Sequence, residues 1–288
     1  MTERKGLIVS SVSGFYTVKS GEDIFSCRAR GIFRKKDQKP VVGDHVVIKQ
    51  SENAYIITDI LPRKNFFLRP PIANIDLILL VVSVCEPSVN YLVLDKLIAI
   101  AEYKQIDVAI VVTKTDLLVS DEIAHVYDLA GIKNIFVNNL QADLRKIYNL
   151  IDGKISAFCG NSGVGKSTLL NRLFPSLNLK TNSISNKLGR GKHTTRVVEL
   201  FPVNGGFVAD TPGFSTVDIL KYDKISKEEL SSCFKEFAEY SDCKFRSCSH
   251  TFESDCGVKD AVDKGFISKR RYENYCAIYN ELKDKKCW

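Results

Sequence analysis

Cys159-Gly160-Asn161-Ser162-Gly163-Val164-Gly165-Lys166-Ser167-Thr168 constrains this chain more than any other ten residues in it. From Gly160 to Ser167 it fits G-x4-G-K-S, the pattern of a phosphate-binding loop. The glycines let backbone N–H groups converge on phosphate oxygens. Lys166 adds positive charge for the outer phosphates, the Ser167 hydroxyl suits Mg²⁺, and a helix starting here aims its N-terminal dipole at the same point. Such a loop works between a buried strand and a helix. Ile155–Cys159 reads as that strand and Leu169–Phe174 as the start of that helix. The middle of the chain is therefore committed to an α/β domain. The position is unusual: the loop ordinarily follows the first strand of such a domain, and here it lies past the midpoint of 288 residues.

The flanking residues agree with that class. Ile75–Cys85 is a continuous apolar run of the kind buried parallel strands show. Tyr91–Tyr103 has helical periodicity, Val108–Val112 is a second buried strand, Asp121–Ala130 reads as a helix and Ile135–Val137 as a short strand. Val197–Phe201 and Phe207–Ala209 read as two more strands. Alternating strands and helices predict a mostly parallel sheet. The first quarter differs. Phe25, Cys27 and Ala29 alternate with Ser26, Arg28 and Arg30; Val46 and Ile48 alternate with Val47 and Lys49; Ser13-Gly14, Ser20-Gly21 and Gly43-Asp44 are turn signals. Short strands at close spacing predict a small barrel of the oligonucleotide-binding type, with Leu68-Arg69-Pro70-Pro71 as a linker after it. From about Tyr222 the pattern is helical, with Leu230, Phe234 and Phe237 on one face and Tyr272, Tyr275, Tyr279 and Leu282 on another.

Charge is uneven along the chain. Residues 1–70 hold 13 Lys/Arg against 7 Asp/Glu, a balance of +6, within a total of +7. A basic module on a near-neutral body suits a polyanionic partner, nucleic acid first, or else a solvated basic face. Arg30–Pro40, RGIFRKKDQKP, sets Phe33 among cations, a combination that suits RNA, where bases stack and phosphates pair. The longest apolar run is too short to span a bilayer. The N-terminus lacks the apolar segment of a signal peptide, so a cytoplasmic location is expected.

Thr113-Lys114-Thr115-Asp116 ends a predicted strand ahead of the phosphate loop. An Asp carboxylate there accepts two hydrogen bonds from guanine, where adenine offers no donor, and the Lys stem covers the base. In GTPases the first position is usually Asn, which ties this segment to the phosphate loop; the Thr113 hydroxyl can do part of that work. Asp210-Thr211-Pro212-Gly213 ends another strand, 44 residues after Lys166. Its carboxylate suits a water-mediated Mg²⁺ contact, and the Gly213 N–H suits a γ-phosphate. Between them, Gly189-Arg190-Gly191-Lys192-His193-Thr194-Thr195-Arg196 fits a first switch loop, with Thr194 or Thr195 completing the Mg²⁺ shell. The residue after Gly213 is Phe214, which cannot orient water as a glutamine does; His193 is the candidate, unless it only packs or contacts a partner. The order TKTD, phosphate loop, GKHTT, DTPG is that of a circularly permuted GTPase.

Nine cysteines in a chain of this kind do not suggest a disulfide framework. Cys243-x4-Cys248-x-His250-x5-Cys256 instead offers a Cys₃His tetrahedral set for one structural zinc, closed to any catalytic water. Lys244, Arg246, Lys269, Arg270 and Arg271 near it suit RNA phosphates or simple solvation.

Taken with the motifs GNSGVGKST, GRGKHTT, DTPGF and CKFRSCSH…C in that order, the chain resembles the RsgA family of bacterial GTPases over essentially its whole length. The resemblance implies an OB-fold RNA-binding domain (1–68), a circularly permuted α/β GTPase domain (69–221) and a helical zinc-binding domain (222–288). It implies GTP hydrolysis stimulated by the small ribosomal subunit and a role in that subunit's late maturation through rRNA. GTP contacts carry over to Thr113, Lys114, Thr115, Asp116, Gly160, Asn161, Ser162, Gly163, Val164, Gly165, Lys166, Ser167, Thr168, Asp210 and Gly213. Mg²⁺ contacts fall on Ser167 and Thr195, catalysis on His193, and zinc on Cys243, Cys248, His250 and Cys256. A second base-contact motif is not visible at Val137-Asn138-Asn139 and stays unassigned. A monomer is expected, with neither DNA nor membrane as partner. Two other readings stay open: a GTP-dependent RNA-binding module whose hydrolysis is incidental, and an ATP-using phosphate-loop kinase, against which Asp116 argues. The permuted order puts the chain's exit from the GTPase core at the second switch, so loss of γ-phosphate would move 210–216 and reorient the zinc domain.

Overall fold

Alternation of apolar and polar residues in the first sixty positions builds five strands: β1 (Glu3–Val12), β2 (Phe15–Ser20), β3 (Asp23–Ala29), β4 (His45–Ser51) and β5 (Ala54–Ile60). A short pair follows, β6 (Phe66–Phe67) and β7 (Ile72–Ala73). Strands then alternate with helices: β8 (Leu77–Ser83), α1 (Tyr91–Tyr103), β9 (Asp107–Thr113), α2 (Glu122–Asp128), β10 (Lys133–Phe136), α3 (Arg145–Ile151), β11 (Ile155–Cys159), α4 (Lys166–Leu173), β12 (Glu199–Val203) and β13 (Gly206–Asp210). The C-terminal part has two 3-10 turns, Ser231–Cys233 and Lys235–Tyr240, then α5 (Gly257–Asp263) and α6 (Lys269–Asp284). The structure is a computed structural model; it describes residues 3–31, 33, 38–51, 54–118, 120–138, 144–175, 198–210 and 225–284. These form two compact units: Met1–Leu77, Ile147–Phe158 and Asn182–Tyr222 in the first; Ile78–Lys146, Cys159–Thr181 and Asp223–Trp288 in the second.

In the first unit the strands run β1-β2-β3-β5-β4, and β4 pairs again with β1, closing a five-stranded barrel. Within the barrel β3 and β5 pair in parallel, and its other neighbouring strands pair antiparallel. Ile8, Val18, Val46, Ile48 and Ile57 fill the interior, all fully buried. This is the expected barrel of oligonucleotide-binding type. Closure removes the exposed edges that five short strands would otherwise leave. β12 extends this sheet from β1 with Ser10 opposite Glu199, and β13 pairs antiparallel with β12 and parallel with β11.

Two expectations fail here. Leu68–Pro71 is not a free linker but the turn of the β6–β7 hairpin, and that hairpin is docked on the barrel. Phe67 and Ile72 are fully buried, Ala73 N donates to Val42 O at 3.0 Å, and Asn74 Nδ2 donates to Gly43 O at 2.8 Å. Gly43 permits the approach, since a Cβ there would lie 2.0 Å from the Ala73 carbonyl oxygen. Phe33 is not available to stack on RNA: it is 6% exposed, and burial of its ring outweighs the polarity of its neighbours.

In the second unit β8, β9 and β10 lie side by side, with β9 and β10 parallel and Ala109 opposite Lys133. Helix α1 starts at an N-cap, Asn90, whose side chain accepts from Val93 N at 3.1 Å. It buries Leu94, Leu97, Ile98 and Ala101. Leu230, Phe234 and Phe237 are all buried as expected, but along two 3-10 turns: Leu230 caps the first, Phe234 joins them and Phe237 lies in the second. On α6 the most buried residues are Arg271, Tyr275 and Ile278. Arg271 therefore neither touches RNA nor is solvated. Its guanidinium binds Asp95 of α1 (Nη1 to Oδ1, 2.6 Å) and grips Glu236 with Nε and Nη2 (2.5 and 3.2 Å). No helix among the described residues is long and apolar enough to cross a membrane.

Candidate nucleotide site and metal centre

β11 delivers the chain to the phosphate loop at Cys159. Gly160 then passes so close to β8 that a Cβ would lie 2.4 Å from the Val81 carbonyl oxygen. Gly165 has φ +88°, a left-handed conformation that glycine adopts freely, and it caps the N-terminus of α4. Lys166 is the first residue of α4, and its Nζ donates to Gly160 O at 3.2 Å, holding the ammonium over the loop. Asn161, Ser162 and Gly163 are exposed, Val164 is buried, and Ser167 and Thr168 lie in the first turn of the helix. The loop thus turns exposed backbone and a helix N-terminus outward around a lysine, as phosphate binding requires.

The base-reading segment meets this loop through one hydroxyl. Thr113 is fully buried at the end of β9. Its Oγ1 lies 2.5 Å from Val164 O and 3.0 Å from Val82 O. A hydroxyl has one proton to donate, and the shorter contact is the one to the phosphate loop. Threonine therefore makes the tie that asparagine usually makes. Lys114 follows in the left-handed region at φ +59°, and its Nζ donates to the Glu86 carbonyl in the loop after β8. Pro87 of that loop comes within 3.6 Å of where a Cβ on Gly163 would be. Thr115 is half-buried and Asp116 exposed. Beyond β10, Val137 N donates to Val112 O at 2.7 Å and Arg172 of α4 donates to Asn138 O at 3.2 Å. Asp210 is the last residue of β13, opposite Glu199. His193, Thr194, Thr195 and Gly213 lie outside the described residues.

The four sequence-predicted metal ligands come together. Their donor atoms all lie within 4.8 Å of one another. Cys243 Sγ is 3.5 Å from His250 Nδ1 and 3.8 Å from Cys256 Sγ, and His250 Nδ1 is 3.4 Å from Cys256 Sγ. Bond lengths of ~2.3 Å to sulfur and ~2.0 Å to nitrogen give tetrahedral edges of ~3.8 Å (S to S) and ~3.5 Å (S to N). The donor set fits a metal ion. Burial pushes the Cys248 thiol up to about 12 and holds the His250 imidazole below its usual value. A neutral imidazole is ready to ligate, whereas buried thiolates need a cation's charge.

Three residues order this loop; Glu253 escaped the sequence reading, and Tyr272 and Tyr275 were read only as one face of a helix. Glu253 accepts from Ser249 N (2.9 Å), Ser249 Oγ (2.8 Å) and Thr251 N (3.1 Å). Burial opposes its ionisation, yet these hydrogen bonds hold its carboxyl at about 2. Tyr272 and Tyr275 of α6 donate to the carbonyls of His250 (2.9 Å) and Ser249 (2.6 Å). Glu253 lies midway between His250 and Cys256, a position from which one carboxylate can lace a ligand loop.

Comparison with known proteins decides the family. The RsgA N-terminal domain model matches residues 5–56, and the RsgA GTPase model matches residues 60–220. This chain belongs to the RsgA GTPase family. It is a GTP hydrolase of the circularly permuted kind. "Small ribosomal subunit biogenesis GTPase RsgA" of Geobacillus sp. (strain WCH70) is 45% identical over 291 aligned positions, covering 98% of each chain. The protein of that name from Streptococcus pneumoniae is 42% identical, covering 98% of this chain and 96% of its own. Among solved structures, YloQ, described as a circularly permuted GTPase, covers all of this chain and 97% of its own with a TM-score of 0.83 at 35% identity. YjeQ from Thermotoga maritima covers 99% and 100% with a TM-score of 0.84 at 34% identity. The permuted order, the barrel and the Cys₃His cluster of this RsgA-family chain thus stand together in one fold.

Proposed function

We propose that this RsgA-family GTPase acts in the cytoplasm on the small ribosomal subunit, bound through rRNA as a monomer, and uses GTP hydrolysis to time a late maturation step. The observation that carries the nucleotide half of the reading is the Thr113 hydroxyl bound to the phosphate-loop carbonyl of Val164. It couples the segment that would read guanine to the loop that would hold phosphates. In this reading Asp116 accepts from guanine, Lys114 covers the base, and Gly160–Thr168 cradle the phosphates. Ser167 and Thr195 hold Mg²⁺, with Asp210 and Gly213 sensing the γ-phosphate. His193 positions the attacking water. Mg²⁺ would neutralise charge on the transferring phosphoryl group.

Cys243, Cys248, His250 and Cys256 hold one structural zinc, which supplies folding energy to a loop too short to fold alone. The domains would be 1–68 for RNA, 69–221 for GTP and 222–288 for zinc. The names of the Geobacillus and Streptococcus pneumoniae relatives, both small ribosomal subunit biogenesis GTPases, support the partner.

The test uses the His193→Ala protein. It should keep GTP affinity close to that of the parent, still co-sediment with purified small subunits in GTP, and lose most of the turnover those subunits stimulate. Unchanged turnover would remove His193 from the mechanism, and failure of the parent chain to co-sediment with small subunits would remove the partner.

A further inference from the structure

Helix α4 starts at the phosphate loop and ends beside the base-reading segment. Lys166 and Ser167 open it, and Arg172 stands in its last turn, half-buried. Arg172 Nη1 donates to Asn138 O at 3.2 Å. Asn138 is also half-buried, and it follows Val137, whose N–H donates to Val112 O at 2.7 Å. β9 and β10 run parallel with Phe136 opposite Val112, so Val137–Asn138 and Thr113–Lys114 leave the sheet side by side. Ligands of open α/β sheets sit beyond such carboxyl ends. Val137–Asn138 therefore flanks the segment that would read the base, at the place where the sequence showed no second base-contact motif.

Two observations give Arg172 a task there. The first is Thr113. An asparagine amide has two protons to donate, and a threonine hydroxyl has one. Thr113 makes a single tie, to Val164 O of the phosphate loop, and one hydrogen bond is a pivot about which the base-reading segment can turn. Arg172 adds a second tie, from the helix that the phosphate loop starts to the neighbouring segment. The second observation is its place on the helix. Arg172 lies about 9 Å along the axis from Lys166, at ~1.5 Å per residue, and its guanidinium is engaged at Asn138, so it serves the base side and not the phosphates. A cation in a last turn also suits the helix dipole, but that role alone would change stability and leave base selectivity untouched. We propose that Arg172 is a positioning residue for guanine selectivity: it holds Val137–Asn138 as a wall of the base subsite, at a spacing set by the phosphate-loop helix. One helix thereby fixes both halves of the pocket, through Lys166 for the phosphates and Arg172 for the base. The proposal rests on the reading that Thr113–Asp116 recognise guanine.

The test uses the full zinc-loaded chain with Mg²⁺ and measures displacement of a fluorescent guanosine diphosphate by GTP, ATP and inorganic triphosphate. Arg172→Met keeps the apolar stem and removes the donors. It should weaken GTP by roughly tenfold, the loss expected for one hydrogen bond from a charged donor, and narrow the preference for GTP over ATP by the same factor. Inorganic triphosphate has no base, so its affinity should stay at the parent value, which also shows that the phosphate loop is folded. Arg172→Lys still carries a donor and should keep most of the parent's preference. Weakening of GTP and triphosphate by equal factors would mean a purely structural role and overturns the proposal. So does an Arg172→Met protein with the parent's full preference for GTP, and in that case the guanine reading of Thr113–Asp116 stands. A parent chain that binds ATP as tightly as GTP overturns that reading and the role of Arg172 with it.

Discussion

Replacing Arg271 by methionine should be among the most damaging single changes outside the nucleotide site. The side chain is 1% exposed and binds two carboxylates, Asp95 at 0% exposure and Glu236 in a bidentate grip. Asn274 Nδ2 completes the set on Asp95 Oδ2 at 2.6 Å. Removing the guanidinium strands two buried carboxylates, which costs about 3–5 kcal/mol. For a unit of this size that corresponds to a fall of roughly 6–20 °C in midpoint. The exposed pairs nearby matter far less. Arg270–Glu122 (3.0 Å) has both partners about half exposed, so its loss costs about 1 kcal/mol at most.

The sign of the pH dependence follows. Burial already pushes the Asp95 carboxyl above its usual value, against the pull of Arg271. Without Arg271 its folded value rises further, so the protonated form is the one the fold favours. The deficit of Arg271→Met should therefore shrink toward acid and be complete only above that raised value. Arg271→Lys keeps the charge but not the fork and should fall between. Replacing all three partners by apolar residues of similar size should recover much of the loss. The assay is calorimetric unfolding at pH 5 and pH 8. An Arg271→Met midpoint within 2 °C of the parent at pH 8 would refute the reasoning.

Other outcomes follow from the same contacts. Thr113→Val leaves the Val164 carbonyl without its donor and should weaken GTP binding by roughly tenfold, while Thr113→Asn should bind at least as tightly as the parent; fluorescent-nucleotide titration reads both. Chelation, or Cys248→Ser, should release one zinc per chain, seen by elemental analysis, and raise amide exchange across 243–256, with GTP affinity retained. Glu253→Gln should weaken zinc retention without removing a ligand, because the carboxylate that laces Ser249 and Thr251 is gone; competition with a colorimetric chelator measures it.

Much of the fold was legible because its signals are local. Helix α1 matches its expected span of Tyr91–Tyr103, since one apolar face runs the whole length between an Asn cap and a polar end. The Cys₃His cluster was legible because all four residues lie within fourteen positions. What escaped depends on contacts distant in sequence. Helix α3 is only seven residues long, and its buried Ile147 and Ile151 form too short a pattern to read. Phe33 looked like a surface aromatic because its neighbours are charged, yet its own burial decides. Arg271 looked like one of five cations near the cysteine cluster suited to RNA phosphates or to solvation. Its partners Asp95 and Glu236 lie far away in the chain, and the readable trace was a lone Asp95 within the apolar face of α1.

The central claim is that guanine-nucleotide turnover by this chain answers to the small ribosomal subunit. GTP hydrolysis by the intact, zinc-loaded protein should be measured alone, with purified small subunits and with purified large subunits. The account predicts slow turnover alone, a strong and saturable increase with small subunits, and little change with large ones. Stimulation by large subunits only, or none by either, would contradict it.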